Sequence, residues 1–263
     1  MSTLLRLLVP VPFVVMALLT GCATQTVRDT EPRTEFDTSQ AERRASTRIE
    51  LAAGYFAKGQ HSIALDELKQ ALALQPNSRE GLNLRALVLA AMGDTENAED
   101  SFRRILQLYP RDPDTLHNQA WFLCQQGRVE AAMAAFDEAL AQPNYRAPSR
   151  TWLARGGCNM RHQRWAEAER SLARGFELDP GNPALAYNLA EALLRLGQNE
   201  RARFYAARVN AQPDQVNAQS LWLAARIEQR MGNRNGVQEW GQRLRREFPQ
   251  SPEAQAFGAN RFE

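Results

Sequence analysis

Lysine is almost absent from this chain. Of its 32 basic residues only Lys58 and Lys69 are lysine, and 30 acidic side chains leave a net charge of +2 over 263 residues. So balanced a charge argues against a nucleic-acid or polybasic membrane role, and the arginine bias reads as genomic composition rather than function. Histidine is nearly as scarce, with His61, His117 and His162, and the chain has no H-E-x-x-H, no G-x-x-x-x-G-K and no G-x-S-x-G. Metalloprotease, P-loop and serine-hydrolase chemistry therefore lack their motifs. His117 and Cys124 share a helical face but stand two turns, about 10 Å, apart, so they cannot grip one ion. Cys158 and His162 make at most half of a site, since zinc takes three or four ligands. The chain is expected to carry no metal, no cofactor, no small-molecule substrate and no catalytic residue. A membrane-spanning run is missing too: the longest apolar stretch, Leu7 to Leu19, is broken by Pro10 and Pro12 and is shorter than the roughly 20 residues a span needs. With Arg6 ahead of it, the stretch reads as a signal-peptide core.

Of the three cysteines, the first follows that run at once. Leu19-Thr20-Gly21-Cys22 resembles the bacterial lipobox, whose cysteine is lipidated and becomes the first residue of the mature protein. One acyl chain holds a protein to a membrane only marginally and two hold it firmly, so a fully acylated Cys22 is a durable anchor. Ala23 stands where inner-membrane retention usually shows Asp, so the resemblance implies an outer-membrane, periplasm-facing protein. Residues 1–21 are then a lipoprotein signal peptide. Residues 22–44, polar and with only Val27 and Phe36 as large apolar side chains, read as a flexible tether spanning on the order of 25 Å.

The remainder, 45–263, repeats itself every 34 residues. Counting from Ala45, the eighth place of six units holds Ala52, Ala86, Ala120, Gly156, Ala190 and Ala225, and the twentieth holds Ala64, Ala98, Ala132, Ala168, Ala202 and Val237. The fifteenth is Gly59, Gly93, Gly127, Gly197 and Gly232 in five of the six, and prolines close the units. This is the pattern of a helical hairpin: small residues let helices A and B approach, glycine caps helix A, and proline stops helix B. No unit buries its apolar face alone, so the units must stack. The pattern resembles the tetratricopeptide repeat. It implies an all-α, right-handed superhelix with units near 45–78, 79–112, 113–146, 149–182, 183–216 and 218–251 and a short capping helix within 252–263. Unit six departs most, with Gly241 where a large residue is expected and Trp240 beside it to fill the space.

Stacked A helices of such repeats line a concave groove. The positions that face it include Phe56, Asn83, Leu87, His117, Trp121 and Met160 in the first four units, and Tyr187, Glu191, Trp222 and Arg226 in the last two. Aromatics and arginine suit a partner's segment because they dominate binding hot spots; the same side chains also serve as packing between units. Cys124 and Cys158 fall on neighbouring A helices. In an oxidising compartment they either staple units three and four as a disulfide or remain two buried thiols.

The stretches HNQAWFLCQQGRVEAAMAAFDEAL, YRAPSRTWLARGGC and FPQSPEA, together with the lipobox, tether and six repeats, resemble the PilF/PilW family of type IV pilus biogenesis and stability lipoproteins. The resemblance implies a non-enzymatic scaffold whose partners are the pilus secretin or other pilus-assembly proteins. A tetratricopeptide lipoprotein that serves cell-wall enzymes is the alternative.

Overall fold

Place fifteen fixes the architecture, because each hairpin turns there. The structure, a computed structural model, describes residues 35–262, so the signal peptide, Cys22 and the start of the tether lie outside the described residues. The first three hairpins are α1 (Glu35–Ala57) with α2 (His61–Leu74), α3 (Arg79–Ala91) with α4 (Thr95–Leu108), and α5 (Pro113–Gln125) with α6 (Val129–Leu140). Three more follow: α7 (Pro148–Arg161) with α8 (Trp165–Leu178), α9 (Pro183–Arg195) with α10 (Asn199–Asn210), and α11 (Ala218–Arg230) with α12 (Arg234–Glu247). The last helix is α13 (Pro252–Gly258). Among the described residues there is no strand, and no helix is long and apolar enough to cross a membrane.

The corner chemistry is the same each time. In unit two the Gly93 N–H donates to the Ala90 carbonyl (3.1 Å) and the Asp94 N–H to the Leu89 carbonyl (2.9 Å), the Schellman pairing that needs a left-handed residue. The five corner glycines have φ between +71 and +79. Unit four has no glycine there, and Gln163 takes the conformation itself at φ +59, with the bonds Gln163 N–H to Met160 and Arg164 N–H to Asn159 intact.

The small residues at places eight and twenty are buried in every unit. In unit four the approach is tightest, and a Cβ on Gly156 would stand 2.5 Å from Leu172 Cγ. Between units, Ser78, Asp112, Asn182 and Ser251 accept backbone N–H bonds as N-caps of the next helix, satisfying donors that the first turn leaves open. Asp112 also accepts from Arg79, the first residue of α3, at 2.9 Å. Of the four apolar clusters that result among the described residues, two are large. One is built mainly from units two and three around Phe102, Phe122 and Phe136, and reaches unit four at Cys158. The other runs from Leu172 through Leu189 and Leu193 to Ile227.

The structure corrects two expectations. The tether does not extend to residue 44, because α1 begins at Glu35. From Glu35 to Ala53 there is neither Pro nor Gly, and a helix already nucleated by packing at Ala45 and Ala52 adds residues at little further cost. The space at Gly241 is filled by α13 rather than by Trp240: a Cβ there would overlap the Phe257 ring, while Trp240 packs at the edge of the same cluster.

Candidate functional site

Helices α3, α5, α7, α9 and α11 set successive A faces side by side, and the expected groove residues divide into open and closed ones. Leu87 and Trp121 are half-buried against the first core, Met160 and Tyr187 against the second. Phe56 is half-buried in unit one with its ring 5.5 Å from His61. Asn83 accepts a bond from Asn118 of the next unit at 3.2 Å. These side chains keep an accessible edge that a partner can reach.

His117 is closed, contrary to its expected place on the groove. It is 8% exposed, its Nδ1 lies 2.8 Å from Thr151 Oγ1 of the next unit, and its ring meets Phe136 edge-on at 6.1 Å. Tyr145 completes the chain with its hydroxyl 2.6 Å from the same Thr151 oxygen. Burial, aided by the charge of Arg150, pushes the His117 pKa down to about 4. The imidazole is therefore a neutral lock between units three and four rather than a contact for ligands. Sequence spacing missed this, because Thr151 and Tyr145 sit around the two-residue insertion that breaks the period.

Units five and six carry a charge cluster on the groove side. Glu191 accepts both Arg226 nitrogens (2.9 and 3.2 Å) and Arg195 Nε (3.0 Å). Glu191 and Arg226 are 13% and 15% exposed at their side chains, so the pair is largely desolvated but still reaches the surface. Tyr187 lies beside it, its pKa raised first by burial and then by the Glu191 charge. Trp222 stacks on Phe262 with ring centres 4.9 Å apart, a contact between groove and C-terminal segment that the sequence pattern did not reveal.

Cys124 and Cys158 are joined, S–S 2.02 Å and Cα–Cα 6.0 Å. His162 Nε2 comes 3.4 Å from the Cys124 carbonyl, and the three side chains converge within 4.8 Å. The cluster has the ligand types of a zinc site, but both sulfurs are used by their mutual bond and only the imidazole is free to donate a lone pair. Cys22, the expected lipid-attachment residue, lies outside the described residues.

Hairpins of this length, closed by left-handed corners and stacked through small residues, define a tetratricopeptide-repeat solenoid, a scaffold for holding other proteins. Tetratricopeptide-repeat family models match residues 89–144 and 160–222, and 49–113. The type IV pilus assembly protein PilF of Pseudomonas aeruginosa is 28% identical over 249 residues, covering 95% of this chain and 97% of its own. The crystal structure of PilW, a type IV pilus biogenesis factor, superposes with a TM-score of 0.72 at 28% identity, over 81% of this chain and 97% of that one. The structure of P. aeruginosa PilF gives 0.70 at 26% identity, over 84% and 99%. The chain belongs to the tetratricopeptide-repeat family, and along nearly its whole length it is homologous to the type IV pilus biogenesis proteins PilF and PilW.

Proposed function

We propose that this protein is an outer-membrane-anchored scaffold that holds a secretin subunit, or another pilus-assembly protein, in its concave groove so that assembly takes place at the membrane. The observation that carries the reading is the match to PilF and PilW along nearly the whole chain, with a groove whose half-buried aromatics and Glu191–Arg226 pair suit a protein segment. The Cys22 lipobox supplies the anchor. Only residues 23–34 lie between it and α1, a length of chain that keeps the groove near the inner leaflet. Confinement then raises the effective concentration of the bound partner without any new contact. The role is non-catalytic: the chain contributes binding and position.

The test is the state of the secretin in a deletion strain. Loss of heat-stable secretin rings and of surface pili is expected, restored by the unaltered gene but not by Cys22→Ala, and only partly by Tyr187→Ala or Trp121→Ala. Normal rings and pili in the deletion strain would overturn the reading. Recovery of cell-wall hydrolases or synthases, and of no pilus protein, in a pulldown from envelope extract would favour the adaptor alternative.

A further inference from the structure

At unit six the groove ends on a seat that the chain fills with its own side chain. Trp222, on α11, carries the Phe262 ring stacked at 4.9 Å and 29°, and the Phe257 ring closes the seat edge-on at 6.1 Å. Phe262 arrives there because the backbone reverses after α13. The Asn260 N–H donates to the Phe257 carbonyl (3.0 Å), the Arg261 N–H to the Ala256 carbonyl (2.9 Å), and Asn260 sits at φ +54. Phe262 belongs to no helix and is only half-buried, while Asn260 and Arg261 are exposed. It is held by ring contacts at the end of an irregular segment, the kind of element that opens locally at low cost. Phe257, by contrast, is set into the notch at Gly241 and stays with the fold. Next along the groove come Tyr187 and the Glu191–Arg226 pair, and Glu253 of α13 is near enough to act on the Tyr187 hydroxyl.

We propose that Trp222 is the receiving surface for an aromatic side chain of a partner's extended segment, and that Phe262 is a resident stand-in which lifts off when that segment binds. The proposal rests on the groove-binding reading above and names the partner's chemistry at one end of it: a Phe, Tyr or Trp ring laid on Trp222. The adjoining polar side chains of Tyr187, Glu191 and Arg226 are left to meet the segment's backbone. The chain's own segment shows which ring chemistry fits, since offset stacking selects an aromatic over an aliphatic side chain. With Phe262 on the seat, the apparent affinity for a free segment falls to the fraction of time the seat stands empty.

The test uses the full chain and a fluorescein-labelled peptide of residues 259–263, Ala-Asn-Arg-Phe-Glu, read by fluorescence anisotropy. Phe262→Ala is expected to bind the peptide about tenfold or more tightly than the unaltered chain. Phe262→Tyr keeps the weak binding, since the seat stays filled. A peptide with Ala in place of its Phe does not bind, and adding Trp222→Leu to Phe262→Ala abolishes the gain while far-UV circular dichroism stays unchanged. Equal binding to Phe262→Ala and the unaltered chain, or equal binding of the two peptides, would overturn the proposal. So would a dimer of the unaltered chain that Phe262→Ala abolishes, because the seat would then belong to a second copy's tail. Such a failure leaves the groove reading standing as long as Tyr187→Ala or Trp121→Ala still impairs secretin rings in cells; loss of that effect as well removes the reading itself.

Discussion

Replacing Gln163 by Gly should stabilise the protein, although it removes a side chain and adds nothing. Gln163 holds φ +59 at the one hairpin corner without glycine. A residue with a Cβ in that conformation is strained by roughly 1–2 kcal/mol. Gln163 is exposed and its corner bonds are backbone bonds, so truncation costs no packing. Glycine also makes the unfolded chain more flexible, which offsets about 0.5–1 kcal/mol. The net expectation is a gain of about 0.5–1 kcal/mol, or an upward Tm shift of roughly 1–4 °C for a chain of this size. The reciprocal substitution isolates the cause. A Cβ on Gly197 would meet nothing within 4 Å, so any loss in Gly197→Ala, expected at about 1 kcal/mol or more, is backbone strain alone. Urea denaturation followed by circular dichroism measures both. If Gln163→Gly is neutral or destabilising while Gly197→Ala is destabilising, the corner of unit four is not strained and the reasoning is wrong.

Two adjacent glycines in α7 should respond with opposite signs: Gly156→Ala drives a Cβ into Leu172 and costs about 1–3 kcal/mol, whereas Gly157→Ala meets nothing within 4 Å and gains about 0.5–1 kcal/mol of helix propensity, both read by thermal melts. Replacing Cys124 and Cys158 by Ala frees a closed loop with a sequence separation of 34 and should cost roughly 4 kcal/mol by chain entropy; reductant should lower the Tm of the unaltered protein and leave the double variant unmoved. His117 supplies a pH dependence. Its folded pKa, about 4, lies below the ordinary 6.5, so the unfolded chain takes up the proton first. The stability tied to neutral His117 is complete above pH 6.5 and is lost as pH falls towards 4, by at most about 3 kcal/mol. His117→Gln should flatten the urea midpoint over that window, and an unchanged slope would exclude the buried neutral imidazole.

What the sequence shows best is what the backbone repeats. The 34-residue register is legible because each corner needs a left-handed residue and each A–B contact a small one, and both demands appear as residue types at fixed places. Even the missing glycine of unit four marks a real corner, held by Gln163. Less legible is what depends on irregular segments. His117 occupies a groove place by count, yet Thr151 and Tyr145, set by the insertion between units three and four, draw it inward. Phe262 lies outside the repeat altogether, and no periodicity brings it to Trp222. The start of α1 is hidden for a different reason: residues 35–44 are polar enough for a tether, and they become helical by extension from the packed residues that follow.

The bond between Cys124 and Cys158 joins units three and four close to the boundary between the two larger apolar clusters, since Cys158 belongs to the first while Leu172, of the same unit, belongs to the second. In mechanical terms the solenoid is a coil spring with one welded turn. Pulled from its two ends, it gives at the joints held by side-chain contacts and ion pairs, while the welded turn passes the load on without opening. A long segment lying across Trp121 and Trp222 would therefore span the one joint that tension cannot part without breaking a covalent bond.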